Sequence, residues 1–396
     1  MALALAEVRG SSRAERRIQA LVHRVRALPS SDDGFIMLGR AWVRRARESS
    51  DPGYYLHAEA CADVVLERSP ANLAAKNLRG LVELNRHEFA RARATAEAIV
   101  AIDPRDATAW GTLSDAALEL GDFESAVQAV DRMLEQKPGL PAYSRAAHLR
   151  WLKGDEGGAV KVIRLAIDAG LDPSDPEPLA WVLVQAAELF FQRGDYAGAD
   201  AGFEQALEVV ADYPPALVGR ARVLLARNDP AGASKLLRRA FDESPLVETG
   251  SLLSQALALS GDRAGAEAAY AAAEREGLRG DGRSLSVMDS TLGRHPERAL
   301  ELARKERETR GDIYTDDALA WALYRNGDFE PALKSIERAR RLGTRDARLL
   351  FHHGAILIAT GNARAGRKLV EQALAQNPNF EPEAAAEAAR LLARRT

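Results

Sequence analysis

His57 and Cys61 stand four residues apart. On an α-helix that spacing puts an imidazole and a thiol on one face, the beginning of a metal site. The set stays incomplete: Cys61 is the only cysteine, and no third ligand joins the pair. Two half-buried side chains between helices are the better reading. His352 and His353 are adjacent, so on a helix they point about 100° apart and do not chelate one ion easily. Asp316 and Asp317 form the kind of carboxylate pair that acid–base catalysis uses. At a helix start such groups are expected to be solvated or to serve the helix dipole. The sequence has no G-x-x-x-x-G-K-[ST] phosphate loop, no G-x-G-x-x-G after a strand, no G-x-S-x-G and no H-E-x-x-H. No catalytic residue, metal site or cofactor is nominated, and the chain reads as a non-enzyme.

The elements that would position any site are helical. The chain is 396 residues long, more than one single-core domain usually holds. It is 46% hydrophobic but only 6% aromatic, and much of the apolar share is alanine. Alanine is the best helix former and lets helices approach closely. Strand-favouring aromatic and β-branched residues are thin. The composition predicts an all-α protein.

A period organises these helices. A small residue followed by Asp or Asn recurs at Gly121, Gly154, Gly194, Asn228, Gly261, Gly327 and Gly361, in steps of 33, 40, 34, 33, 66 and 34. The step of 66 is two periods with one marker missing, and the step of 40 is one period with an insertion. Small residues follow five positions later at Ala126, Ala159, Ala199, Ala233, Ala266, Ala332 and Gly366, with Ala299 in the missing unit and Ala92 extending the series backward. Each unit holds two amphipathic stretches. Trp110, Leu113, Ser114 and Ala117 form a face of one first helix. Gly121 suits its end and Asp122 the next N-cap, while Ala126, Val130 and Met133 make the second helix's stripe. Prolines near the unit ends, such as Pro104 and Pro138, stop the second helices. One hairpin cannot bury its apolar face alone, so the units must stack.

This pattern resembles the tetratricopeptide repeat, a 34-residue helix–turn–helix unit with a W-x2-L-G-x2-Y, A-x3-F and P signature. Trp110, Leu113, Ala126 and Pro138 match it in one unit; Tyr196, Ala199, Phe203 and Ala206 match its second half in another, as do Phe329, Ala332, Ile336 and Ala339. The resemblance runs from about residue 35 to residue 380 and implies a right-handed superhelical solenoid of about nine to ten repeats. Units are placed at 35–72, 73–106, 107–139, 140–179, 180–213, 214–246, 247–280, 281–312, 313–346 and 347–380. The first has a longer first helix before Pro52-Gly53. In the eighth, Arg294-His295-Pro296 replaces the glycine turn. This predicts an N-terminal helix or cap over 1–34, arrays over 35–179 and 180–380 with a rigid joint at 172–178, and a polar capping helix over 381–396.

The resemblance also implies which face meets a partner. Positions 2, 5, 9 and 12 of each first helix lie beside the buried stripe, and in tetratricopeptide proteins they look into a concave groove. Here they carry Asp115; Ser144, His148 and Trp151; Trp181, Val184, Glu188 and Phe191; Val218 and Arg222; Tyr314, Asp317, Trp321 and Tyr324; and Arg348 and Phe351. Three of the five tryptophans fall in this set, and Trp and Tyr suit binding surfaces. Some family members hold a peptide carboxylate with Lys and Asn at positions 5 and 9. Here those positions read Asn77/Leu81, Gly111/Asp115, Ser144/His148 and Val184/Glu188, so that clamp is absent. The expectation is a scaffold or adaptor binding a protein or an apolar, extended or helical peptide.

Charge and targeting signals add little. The net charge is −3, with a basic excess of +4 in residues 1–30; this balance argues neither for nor against nucleic acid, and no nucleic-acid partner is expected. Arginine outnumbers lysine 46 to 8, which points to a GC-rich genome and a bacterial source. Within 11–28, Ile18, Leu21, Val22, Val25 and Leu28 share a face, with arginines mostly elsewhere. Packing of this stripe on the solenoid is the favoured reading. The alternative is an assembly factor for a membrane or envelope complex, with membrane contact only through residues 1–30. MALALAEVRG lacks a basic stretch before its apolar residues, no apolar run approaches 18 residues, and one cysteine rules out an intramolecular disulfide. A cytoplasmic protein is expected.

Overall fold

The computed structural model describes residues 1–10, 12–170, 172 and 175–393. Among them the chain forms twenty-two α-helices and no strand, and consecutive helices pack on one another in chain order from α1 to α7 and again from α8 to α22. The helical-hairpin solenoid is the fold that forms. After α1 (Arg13–Ala27) come ten hairpins, beginning with α2 (Asp32–Ser49) and α3 (Tyr54–Arg68), α4 (Leu73–Asn85) and α5 (Phe89–Ile102), and α6 (Ala107–Glu119) and α7 (Phe123–Gln136). Then follow α8 (Leu140–Leu152) and α9 (Glu156–Asp168), α10 (Glu177–Gln192) and α11 (Tyr196–Val209), α12 (Pro214–Ala226) and α13 (Pro230–Glu243), and α14 (Val247–Leu259) and α15 (Arg263–Gly280). The last three are α16 (Gly282–Leu292) with α17 (Pro296–Thr309), α18 (Ile313–Arg325) with α19 (Phe329–Ala339), and α20 (Ala347–Ala359) with α21 (Ala363–Gln376); α22 (Pro382–Ala393) ends the array.

The markers do the work their chemistry predicts. Gly121 ends its helix in the left-handed region at φ 84°, where a side chain would be strained. Asn228 and His87 take the same conformation, at φ 60° and 61°, in units without the glycine. The next aspartate caps the second helix: Asp122 accepts from the Ser125 N–H at 3.1 Å, and Asp155, Asp195, Asp229 and Asp262 accept in the same way. The small-residue series marks the crossing of the two helices. Ala126 is fully buried and its carbonyl accepts from Ser114 Oγ at 3.0 Å; Ser254 and Ser286 do the same to Ala266 and Ala299. A longer side chain there would push the hairpin apart.

The chain forms two compact units, Met1–Pro138 and Gly139–Thr396. The joint expected at 172–178 falls partly on Pro173 and Ser174, outside the described residues.

In the first unit, Ser12 and Glu15 cap α1 reciprocally, and Ile18, Leu21, Val22 and Val25 are buried against the hairpin that follows. The apolar stripe is therefore covered, although Leu28, at the C-cap, is exposed. The chain start packs beside it. Ala4 is buried, and its carbonyl accepts from Trp42 Nε1 at 3.3 Å and lies 3.9 Å from Cys61 Sγ, while His57 Nδ1 meets the Leu3 carbonyl at 2.8 Å. His57 and Cys61 are thus two packed side chains facing backbone carbonyls. Burial pushes the Cys61 thiol up to about 12, far from a reactive thiolate.

The second unit closes on itself. Asn377, after α21, donates to the Phe191 carbonyl at 2.7 Å, and its Oδ1 accepts from Tyr196 Oη at 2.7 Å. Gln376 donates to Glu156 at 2.7 Å. Gly154, in the turn of the unit's first hairpin, lies so near Gly343 that a Cβ would come within 2.6 Å of the Gly343 carbonyl oxygen. Small turn residues are what let two loops touch across nearly the whole unit.

Candidate functional site

Closure fixes which side of the second unit is inside. The Tyr314 side chain, on α18, lies beside that of Trp151, on α8. Both belong to first helices of their hairpins, five hairpins apart in chain order. These two first helices therefore face one another, and most of the candidate positions gather in two patches.

The largest patch spans α18 and α20. The Trp321 ring stacks on His352 at 3.9 Å with planes 11° apart and on Tyr324 at 4.8 Å, meets Phe351 edge-on at 5.4 Å, and carries the Arg325 guanidinium at 4.4 Å. Asp317, one turn before Trp321, lies 2.8 Å from His352 Nδ1 through Oδ1. Its Oδ2 is 3.6 Å from Arg348 Nε, an ion-pair distance too long for a hydrogen bond. Burial opposes the charge of Arg348, but Asp317, Asp346, Glu381 and Glu248 together outweigh it and raise its pKa. Burial, with Asp346 nearby, also raises the Tyr314 phenol well above its ordinary value. Asp317 Oδ2, Trp321 Nε1, Arg348 Nε and His352 Nε2 are enclosed without a hydrogen-bond partner. Such atoms are costly to bury unpaired.

A second patch joins α10 to α12: Arg222 pairs with Glu188 at 2.6 Å and lies 4.2 Å above the Phe191 ring. Of the remaining candidates in this unit, Trp181 is 40% exposed and His148 is also exposed. Asp115 belongs to the first unit, on α6, half-buried.

Exposure divides the expected contact residues. Trp151, Phe191, Trp321 and Phe351 are buried, with Trp321 only 1% exposed. These four rings pack inside the second unit: Trp321 and Phe351 between α18, α20 and α22, Phe191 among α10, α11 and α12, and Trp151 beside Tyr314. The carboxylate pair also departs from expectation. Asp316 and Asp317 are fully enclosed, not solvated: Asp316 accepts from Arg307 and Arg338 at 2.8 and 3.1 Å and from Arg341 at 3.1 Å, while its neighbour turns to His352. Buried carboxylates require such partners.

The last helix, α22, is expected from the sequence as a capping helix, and it lies over this patch. Its Ala384, Ala385 and Ala388 belong to one apolar cluster with Trp321, Phe351 and Phe380. Glu387 holds Arg325 through two bonds of 3.1 and 2.5 Å, and the Glu383 N–H donates to Gln255, on α14. Arg367 donates to the Leu391 and Leu392 carbonyls at the helix end. The small-residue spacing of EPEAAAEAARLL signals close packing, but not on what. At about 0.8 kcal/mol per buried methyl, the three alanines contribute only about 2–3 kcal/mol.

Comparison with known proteins decides the family. Two tetratricopeptide repeat family models match, one at residues 77–141 and 318–379, the other at 190–248. The chain is a tetratricopeptide repeat protein. A curated relative, the cellulose synthase 2 operon protein C of Komagataeibacter xylinus, is 27% identical over 200 residues, half of this chain but 15% of its own length. The human IFIT1 dimer with PPP-AAAA has a similar fold, with a TM-score of 0.52, 15% identity and coverage of 94% of this chain and 92% of that one. PilF of Pseudomonas aeruginosa covers 51% of this tetratricopeptide protein and 90% of its own chain at 17% identity and a TM-score of 0.43. Among the described residues, no helix is long and apolar enough to cross a membrane.

Proposed function

We propose that this protein is a non-enzymatic scaffold or adaptor that holds a peptide or protein segment against the first-helix face of its second unit. What carries the reading is that this face already holds a helix: α22 lies on Trp321 and Phe351 with its small side chains inward and a glutamate on Arg325. A face that accommodates one amphipathic helix has the chemistry to accommodate another. Trp181 is the one tryptophan of the expected set that is open to solvent, and it gives an incoming segment a first anchor. The charges near Arg348 are mixed and mostly acidic, which does not favour a nucleic-acid backbone. A cytoplasmic location and a bacterial source belong to the same reading.

The test is co-purification of partners on the immobilised full-length chain, followed by affinity measurement with Trp181→Ala. Because Trp181 is 40% exposed, the substitution is expected to cost less stability than at a core tryptophan and to leave the helical signal intact. An anchor worth at least about 2 kcal/mol would weaken binding about thirtyfold. Equal affinity of the two chains for every recovered partner would defeat the assignment of this face.

A second reading, a role in assembling an envelope complex, is favoured by the name of the cellulose synthase operon relative. Lipid contact through the apolar stripe of α1 is not part of it, since that stripe is covered.

A further inference from the structure

We infer that α22 is a displaceable internal occupant and that the partner of this face is an amphipathic helix with large aliphatic side chains where α22 has alanines, a carboxylate where it has Glu387, and a polar side chain able to reach Trp321 or His352. The inference rests on the first-helix face being the binding face.

Three observations carry it. The seat is filled with small groups: only Ala384, Ala385 and Ala388 of α22 are buried, while Leu391 and Leu392 stay half-exposed. Small methyl groups lie there against large rings, Trp321, Phe351 and Phe380. A helix with leucines at those places, standing further from the rings to make room for them, would bury more apolar area on the same rings. Charge supplies the register, because Arg325 lies over the Trp321 ring and takes both oxygens of Glu387. The seat is also incompletely satisfied. Trp321 Nε1 and His352 Nε2 are enclosed with no hydrogen-bond partner, and alanine has no polar atom to offer them. A partner side chain with an amide or carboxylate can satisfy what α22 leaves unpaired. The resting chain is thereby guarded by a helix that fits the face but does not optimise it, and a better-matched helix replaces it by mass action.

The probe is a fluorescein-labelled synthetic peptide of residues 381–393 carrying Ala384→Leu, Ala385→Leu and Ala388→Leu, titrated by anisotropy into three full-length chains. In Glu387→Arg, α22 loses its register pair and the peptide's own glutamate gains Arg325, so the peptide binds about tenfold more tightly than to the wild-type chain. In Arg325→Glu/Glu387→Arg the internal pair is restored with reversed sign, the peptide meets a like charge, and binding falls back to or below the wild-type level. Hydrogen exchange in α22 rises when the peptide binds. Equal affinity for the wild-type and Glu387→Arg chains would overturn displacement while leaving the face a binding site. No binding to either, with circular dichroism showing both folded, would overturn the face itself. If Glu387→Arg does not fold, Ala385→Ser, which loosens the seat without changing charge, must give the same order of affinities.

Discussion

Trp321→Ala is expected to lower the free energy of unfolding by about 3–5 kcal/mol, the range for emptying a core tryptophan site. By its position on α18 this ring reads as a contact for a partner, and truncating a contact residue should spare the fold. Its surroundings say otherwise. Trp321 is 1% exposed, is stacked between His352 and Tyr324, and lies in one cluster with α20, α21 and α22. Removing it leaves a cavity that the rigid hairpins on either side cannot close. A urea titration followed by circular dichroism checks this. A midpoint unchanged within error would mean that the ring is not enclosed and that α22 does not lie over it. The contrast with Trp181→Ala is the useful one: two tryptophans of the same expected face, one acting mainly on stability and the other mainly on binding.

Asp316→Ala is expected to cost about 3 kcal/mol, the low end for removing one partner of a buried ion pair. The low end applies because Arg307, Arg338 and Arg341 are each about a third or more exposed and partly solvated. Without the carboxylate, three guanidiniums from α17, α19 and the turn after α19 repel one another across the start of α18. High salt screens that repulsion and should recover part of the loss. Stability insensitive to both the substitution and salt would show that the arginines do not converge on this carboxylate.

The hairpins were legible because each boundary has a local cause. Gly121 ends one helix and Asp122 starts the next through contacts within four residues, so spacing alone places them. Ala126 and its counterparts mark the crossings because only a small residue lets the two helices meet. The inside of the second unit was legible only in part. Helical phase put Tyr314, Asp317, Trp321 and Phe351 on one common face of their first helices. It could not say that the face is covered, since that depends on small rotations accumulated over seven hairpins, which no local motif encodes. The Tyr196–Asn377 contact joins residues 181 positions apart, and neither side chain announces it. The burial of Asp316 has a similar cause: its arginines follow a helical register that is visible only after α17 and α19 are packed on α18.

Closure of the second unit is what turns an open face into a filled one, and it can be read directly. With p-benzoylphenylalanine in place of Tyr196 in the full-length chain, ultraviolet irradiation should give an intramolecular adduct on the peptide containing Gln376–Asn379, found by mass spectrometry, because Tyr196 Oη lies 2.7 Å from Asn377 and 3.2 Å from Asn379. Adducts confined to the neighbouring hairpins, with none near Asn377, would contradict the closure and, with it, the seating of α22.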